Sequence, residues 1–521
     1  MSKQILIVLG ILLIFGCADV SKENQFQTGC SEGSESTPEN EYVSPAPTPA
    51  PSTPDTTAPT ISSVSPSNGA TNISVSSDIT ITFSEAMDSS TINITNITVA
   101  DSSGNAIGGV VSYSSNVATF NPSNDLNHNA TYTVTVGTGV KDSVGNAFGT
   151  SSSWNFSSSY PSAISSSFSS NCILLSNNKI KCWGQNNYGQ LGDGSKTNSL
   201  TLVAVKSTSY NATSNSYEVI SNANSIAAGL YHFCASLSDN TMKCWGYNNK
   251  GQLGTLTASA NKATAVYQIS SAASVPEANG GFHSCALLTD NSVKCWGQNQ
   301  SGKLGNGSTT DSNYPVTVSG ISNATRISVG QSHTCAVLSD NTIKCWGGNG
   351  YGQLGDGTTT NRPTPVTVSG ISSATRVSGG TQHTCAVLSD NTIKCWGYNN
   401  YGQLGDGTTT QRNTPVAVSG ISNATEVISR GDHTCALLSD KTMKCWGHNT
   451  YGVLGDGGTT TQRNTPVAVS GISNAIEISG HMQHTCAVLS DKNIKCWGAN
   501  DYGQLGDGTT TNRSTPVTVQ F

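Results

Sequence analysis

Two cysteines separated by nine residues recur seven times in this chain, and that recurrence constrains the fold more than any other feature. The first members are Cys172, Cys234, Cys285, Cys335, Cys385, Cys435 and Cys486. The second members are Cys182, Cys244, Cys295, Cys345, Cys395, Cys445 and Cys496. Cys335, Cys385 and Cys435 stand 50 residues apart, a period that belongs to propellers and other repeat arrays. The clearest copy runs from His383 through Cys385, Cys395 and Trp396 to Gly407.

Within that copy, Cys-Ala-Val-Leu and Thr-Ile-Lys-Cys-Trp are β-prone runs on either side of Ser389-Asp390-Asn391. Two such runs around three turn residues form a hairpin. With Asp390 at the turn centre, Leu388 faces Thr392, Val387 faces Ile393 and Cys385 faces Cys395. Opposed residues in an antiparallel pair have Cα atoms roughly 4.5–5.5 Å apart, and disulfides span about 4.4–6.8 Å. Each cysteine pair can therefore close inside its own hairpin. Pro365–Val368 and Ala374–Ser378 add two more strand-like runs, and four short strands make one propeller blade.

The repeat resembles that of the regulator of chromosome condensation family. The residues that carry the resemblance are Gly-x-x-His-Thr-Cys-Ala, Trp-Gly-x-Asn-x-Tyr-Gly-Gln-Leu-Gly and the following Pro-Val-x-Val, over roughly residues 161–521. Seven copies in a family of seven-bladed propellers imply a seven-bladed β-propeller here. Eukaryotic members of the family imply guanine-nucleotide exchange as one candidate activity.

The rest of the chain divides by composition. Residues 1–17 combine Lys3, the apolar run Ile5–Phe15 and Cys17 in a stretch that resembles a bacterial lipoprotein signal, with Cys17 as the lipidated residue. The apolar run is too short to span a membrane. Residues 18–56 are a Ser/Thr/Pro-rich disordered linker that carries Cys30. Residues 57–157 alternate as half-buried strands do, in Ile79–Phe83 and Thr131–Val136. About seven short strands in that stretch suggest a β-sandwich. It resembles bacterial immunoglobulin-like domains at Val64-Ser65-Pro66, Phe83–Asp88, Val140–Asn146 and Trp154-Asn155-Phe156. Residues 158–521 are the propeller. The fold class is all-β, a propeller preceded by an Ig-like sandwich. Regularly paired cysteines agree with an oxidising compartment. The reading is therefore an exported lipoprotein of the cell envelope, at the outer membrane or cell surface, monomeric and held to the membrane by lipid.

Candidate sites divide into residues the repeat explains and residues it does not. His232, His283, His333, His383, His433 and His484 hold one place in six copies, and Asn171 is aligned with them in the first. Equivalent points on different blades lie too far apart for one metal ion, so the histidines read as structural. Nine residues between cysteines is a poor zinc spacing, and disulfides are preferred. The aspartates of Gly-Asp-Gly, such as Asp356, Asp406, Asp456 and Asp507, read as turn residues rather than calcium ligands, as do Asp142 and Asn146. The tryptophans of Cys-Trp-Gly read as core between blades. No metal or cofactor is expected. No nucleophile elbow, zinc-protease helix or phosphate loop occurs, and the chain reads as a non-enzyme. A net charge of −6 argues against a nucleic-acid surface.

Positions that vary between copies are free to serve a ligand. Those just before the histidines include Tyr231, Phe282, Gln331, Gln382, Asp432 and Gln483; those just after Trp-Gly include Tyr247 and Tyr398. Aromatic and amide side chains on rigid turns make good contact anchors. The expected partner is a protein or glycan held by these residues, with Tyr231 and Phe282 as a pair on neighbouring blades. Nucleotide exchange and inhibition of an exported enzyme are the alternative functions. A further place for contact is the insertion Lys206–Ser221, which carries Tyr210 and Tyr217.

Overall fold

The computed structural model describes residues 54–521 apart from Asn129, Asn279, Gly280, Thr460, Thr461 and Phe521. Cys17, Cys30 and most of the linker lie outside the described residues. Thr56–Phe521 forms one compact unit.

Its first part is a sandwich of two four-stranded sheets. One contains Ile61–Ser65, Ile79–Phe83, Val117–Pro122 and Gly109–Ser114, in that spatial order. The other contains Ala70–Ile73, Ser152–Ser158, Thr131–Val136 and Ile97–Asp101. The alternation read from the sequence is what fills the interior. Ile79, Ile81, Phe83, Tyr132, Val134 and Val136 are buried, while the threonines between them face outward. Asp142 acts as a turn residue. Its Oδ1 accepts the N–H groups of Val144, Gly145 and Asn146 at 2.7–3.0 Å, and its Oδ2 accepts Asn146 Nδ2 at 2.8 Å. Lys181 of the first blade reaches Asp125 of the sandwich at 3.4 Å.

Seven further sheets follow, each with four antiparallel strands at its core; in the third, the short strand Glu277–Ala278 leaves to pair in parallel with Ala324–Val329 of the next blade. The fifth is typical, with Ala374–Gly379, His383–Leu388, Ile393–Gly397 and Arg412–Ala417 in spatial order. The first strands of successive blades lie against one another around the central axis. The hairpin register agrees with the sequence pattern, pairing Val387 with Ile393 and Cys385 with Cys395. Asn391 takes a left-handed φ of 62°, the third turn position of a three-residue hairpin loop. Asp390 fixes the turn by accepting both the N–H and the hydroxyl of Thr392. All seven disulfides close within their hairpins, with Cα atoms 4.0–4.1 Å apart.

Each Cys-Trp-Gly tryptophan is fully buried against the preceding blade. Its indole N–H donates to a main-chain carbonyl there, as Trp396 does to Gln353 at 2.9 Å. The glycine of Gln-Leu-Gly makes room for that ring. Gly405 has φ +68°, and a Cβ on it would sit 2.7 Å from Trp446 Nε1. Among the described residues no strand is exchanged to close the ring; the first blade repeats the same contact with the last. Trp183 donates to Gln504 O at 3.0 Å, and Ile164 N–H donates to Glu477 at 3.1 Å. The insertion after the first copy folds as a hairpin, Lys206–Asn211 and Ser216–Val219, attached to the outer strand of blade 2. Tyr210 and Tyr217 meet edge to face on it, 5.3 Å between centroids, and are exposed.

Two outcomes test this architecture. Non-reducing peptide mapping should recover Cys385 joined to Cys395 and the six equivalent pairs, with no link between blades. Trp396→Ala should destabilise the fold by about 3–5 kcal/mol in urea melts, since it removes a large buried ring.

Candidate functional site

In each blade the turn before the histidine and the segment after Trp-Gly emerge at the same end of the ring. A main-chain bond ties the two variable positions together. Tyr247 N–H donates to Tyr231 O, Gln298 to Phe282, Tyr398 to Gln382, His448 to Asp432 and Ala499 to Gln483, all at 2.7–2.9 Å. The two sets of variable residues therefore form one face, displayed in pairs. Their side chains differ from blade to blade, while the backbone that carries them does not.

On blades 1–3 the face is aromatic. Tyr231 and Phe282 have ring centroids 6.4 Å apart, and Tyr247 lies 5.8 Å from Phe282 and 6.2 Å from Tyr231. Tyr188 meets Tyr231 at 5.3 Å and Tyr247 at 4.7 Å, and Phe168 meets Tyr231 at 5.6 Å. Burial, together with Tyr188, Tyr502 and Tyr247 nearby, pushes the Tyr231 phenol up from its ordinary value. A second aromatic arc crosses blades 4–6. Tyr351 and Tyr398 are 4.9 Å apart, Tyr398 and Tyr401 6.2 Å, and Tyr401 and His448 4.7 Å. Inside that arc is a pocket of about 370 Å³ lined by Gln331, Thr381, Asp432, His448, Tyr451 and Gln483, among others. The structure thus gathers Tyr231, Phe282 and Tyr247 in one cluster. It sets Gln331, Asp432 and Gln483 in the pocket and Tyr398 beside it. Gln382 is on the same face, bonded through its carbonyl to Tyr398, but it does not line the pocket.

Sequence reasoning missed Tyr188, Tyr351, Tyr401 and Tyr451. They belong to the recurrent Tyr-Gly-Gln-Leu-Gly, with Val453 in place of the glutamine after Tyr451, and so read as part of the blade. The available signal was that Lys250 and Ser301 take this place in copies 2 and 3, so the blade does not require tyrosine there.

The histidines are structural, and the structure corrects one alignment. His333 Nε2 lies 2.8 Å from Thr384 Oγ1 of the next blade, and that hydroxyl donates to Gln353 O at 2.8 Å. The same linkage joins His283 to Thr334, His383 to Thr434 and His433 to Thr485. With the hydroxyl proton committed to the carbonyl, Nε2 is the imidazole donor. Among the described residues, Nδ1 has no hydrogen-bond partner in His232, His283, His333, His383 and His484. In blade 5 a glycine keeps the space beside it open, since a Cβ on Gly380 would meet His383 Nδ1 at 2.5 Å. Asn171 does not occupy the histidine place. It pairs with Trp183 as Thr384 pairs with Trp396, and Ser170 stands where the histidine does elsewhere. Asn171 does the work of the threonine, with Oδ1 3.0 Å from His484 Nε2 and Nδ2 donating to Gln504 O. Blade 2 complements it: Phe233 replaces the hydroxyl residue and stacks on Trp245 at 6.0 Å, at the one junction where the preceding blade has no histidine to bond.

The Gly-Asp-Gly carboxylates are fully engaged. Asp406 Oδ1 accepts the N–H and hydroxyl of Thr408, and Oδ2 accepts Arg412 Nε at 3.0 Å and Nη2 at 2.9 Å. Burial raises its pKa, but these donors outweigh burial and hold it below the usual carboxylate value. Asp356, Asp456 and Asp507 are clamped by Arg362, Arg463 and Arg513 in the same way.

A closed ring of antiparallel four-stranded sheets with a variable face at one end defines the class, a β-propeller that displays side chains from rigid turns. Two models, both described as the regulator of chromosome condensation (RCC1) repeat, match this chain. One covers residues 290–337, 343–387, 393–437, 445–488 and 496–521; the other covers six stretches between 162 and 504. A bacterial Ig-like domain matches residues 55–158. The chain belongs to the RCC1-repeat family, with an Ig-like domain ahead of the propeller. It is 37% identical over 83 residues to the probable E3 ubiquitin-protein ligase HERC4 of Rattus norvegicus, covering 15% of this chain and 8% of that protein. It is 41% identical over 59 residues to the secretion-regulating guanine nucleotide exchange factor of Mus musculus, covering 11% and 12%. The chain thus spans about a tenth of the length of these curated relatives. Among solved structures, human WBSCR16 is similar with a TM-score of 0.55 at 20% identity, over 66% of this chain and 94% of that one. Prp20p from Saccharomyces cerevisiae is similar with a TM-score of 0.56 at 16% identity, over 70% and 88%.

The buried histidines set a pH dependence. Burial holds His232, His333, His383, His433 and His484 near 3, against about 6.5 in an unfolded chain. Their contribution to stability is intact above about 6.5. Below it, the unfolded chain binds protons that the folded ring does not, and stability falls until the folded values are reached. The Gly-Asp-Gly carboxylates act in the same direction, but only below about 4. Urea midpoints should therefore drop between pH 7 and 5, by up to about 1.4 kcal/mol per histidine per pH unit. A flat midpoint across that range would mean that the imidazoles titrate inside the ring.

Proposed function

We propose that this chain is an exported, envelope-anchored binding protein whose propeller engages a protein partner through the variable-turn face. The observation that carries the reading is the aromatic cluster Tyr188, Tyr231, Tyr247 and Phe282, which joins three blades at one end of the ring. The hydrogen-bonded frame is satisfied without these side chains, and other blades place serine, glutamine or glycine at the same points. Clustered Tyr and Phe on a rigid frame supply contact area at low entropic cost. The Ig-like domain and the Ser/Thr/Pro-rich linker suit a spacer between Cys17 and that face. Oxidised hairpins in all seven blades suit an exported chain. The likeness to an exchange factor covers 59 residues, little more than one repeat, so it supports the blade rather than the activity.

The full chain immobilised on a surface should capture its partner from envelope extracts, and Tyr231→Ala with Phe282→Ala should weaken capture at least about tenfold, as loss of a central anchor does. The two rings pack on their neighbours, so a modest fall in melting temperature is expected alongside. Unchanged capture would exclude this part of the face. Anchoring is tested separately: Cys17→Ser should release the protein from membranes into the soluble fraction, and full retention would rule out Cys17 as the lipid site.

A further inference from the structure

The face has a second zone with different chemistry. Asp432 lies in the pocket on blades 4–7, half-buried, beside His448, Tyr451, Met482, Gln331 and Gln483. Among the described residues its side chain receives one hydrogen bond, from Gln403 Nε2 at 3.4 Å, and no lysine or arginine stands within ion-pair distance. The contrast with the Gly-Asp-Gly carboxylates is sharp. Asp356, Asp406, Asp456 and Asp507 are each matched by an arginine and a set of fixed donors. Asp432 is desolvated without being matched, and burial pushes its carboxyl above the ordinary value, opposed only by His448.

Folding does not explain the residue. The equivalent position carries Ser169, Tyr231, Phe282, Ser332, Gln382 and Gln483 in the other blades, whose frames are the same. A carboxylate partly withdrawn from water without a counter-charge costs stability, so its environment favours a ligand that brings the missing charge. The pocket walls agree with a cation. The phenol of Tyr451 and the thioether of Met482 offer π and polarisable surface, the amide oxygens of Gln331 and Gln483 accept N–H groups, and no cationic Lys or Arg lines the wall. Tyr398, Tyr401 and His448 extend the aromatic surface outward from the rim.

We propose that this pocket receives the ammonium or guanidinium group of a lysine or arginine side chain on the protein partner, with Asp432 as its counter-ion. The inference deepens the protein-binding reading and rests on it. It divides the face into an aromatic contact zone on blades 1–3 and a charge-reading pocket on blades 4–7.

The groups facing Asp432 are His448 of its own blade and Tyr398 and Gln403 of blade 5. A bound cation favours the ionised carboxylate, so affinity should be constant at neutral pH and fall as pH drops and Asp432 takes up its proton. The Asp432→Asn variant, which has no carboxyl to protonate, should show no such fall.

The test uses the full oxidised chain and blocked single amino acids as probes, followed by NMR titration at pH 7.5. N-acetyl-lysine amide or N-acetyl-arginine amide should bind with a Kd on the order of 1 mM, and N-acetyl-glutamine amide at least tenfold more weakly. Asp432→Asn should remove that preference and leave the melting temperature within a few degrees of the parent. Equal binding of charged and neutral probes, no binding of either cation, or a preference that survives Asp432→Asn would each overturn the proposal. So would competition by a neutral trisaccharide that is indifferent to Asp432→Asn, which would make the pocket a polyol site. Because the probes do not involve the partner, this result is independent of partner capture. Probe binding that persists in Tyr231→Ala/Phe282→Ala while capture is unaffected by that variant would sink the aromatic zone and leave the pocket standing.

Discussion

One hydrogen-bonded junction, repeated around the ring, holds this propeller together. A main-chain carbonyl just before Leu-Gly in one blade accepts both the indole N–H of the next blade's tryptophan and the hydroxyl of its threonine, as Gln353 O does at 2.9 and 2.8 Å. Both lone pairs of that oxygen are used in a site from which water is excluded. The threonine in turn receives the imidazole of the blade that supplied the carbonyl, at 2.8 Å. Four polar groups from two blades are thus satisfied at once, among fully buried side chains. Removing any one would leave a buried partner unmatched, which costs more than the bond itself contributes. The register between blades is therefore specified by polar matching as well as by apolar contact.

That junction explains why the first and second copies can depart from the repeat. Blade 1 lacks the histidine and has Ser170 in its place, and blade 2 lacks the hydroxyl and has Phe233. The two losses fall at the same interface, so neither leaves an orphaned group, and Phe233 stacks on Trp245 instead. At the opposite side of blade 1, Asn171 is needed because His484 of the last blade requires an acceptor and Gln504 O a donor. An amide offers both. Among the described residues the ring is closed by contacts between blades rather than by a borrowed strand, and Asn171 carries two roles there beside Trp183 and the apolar cluster the two blades share.

A frame satisfied in this way leaves its end turns free to vary. The backbone bond between the two variable positions holds their Cα atoms in the same place whether the side chains are Tyr231 and Tyr247 or Asp432 and His448. The same ring can therefore carry an aromatic cluster on one side and a desolvated carboxylate on the other without altering its core. Where the frame uses charge, it matches it, as at Asp406 and Arg412. Asp432 stands out because no such match is built around it.

The sequence by itself determined the blade. Strand alternation, the three-residue turn at Asp390 and the opposition of Cys385 to Cys395 are set by residues within a few positions of one another, and seven copies imply seven blades. The burial of Trp396 and the turn role of Asp406 were legible for the same local reason. The place of Asn171 was not, because a one-residue shift is invisible until its partner across the ring is known, and that partner is His484, 313 residues away. The lining of the face was legible as a set of variable positions but not as an arrangement. Tyr188 meets Tyr247 and Tyr401 meets His448 only because each blade is rotated onto the next, which brings a recurrent tyrosine of one copy against a variable residue of the following one. Local pattern specifies which atoms pair within a hairpin; contact between side chains roughly fifty residues apart is decided by the rotation that closes the ring.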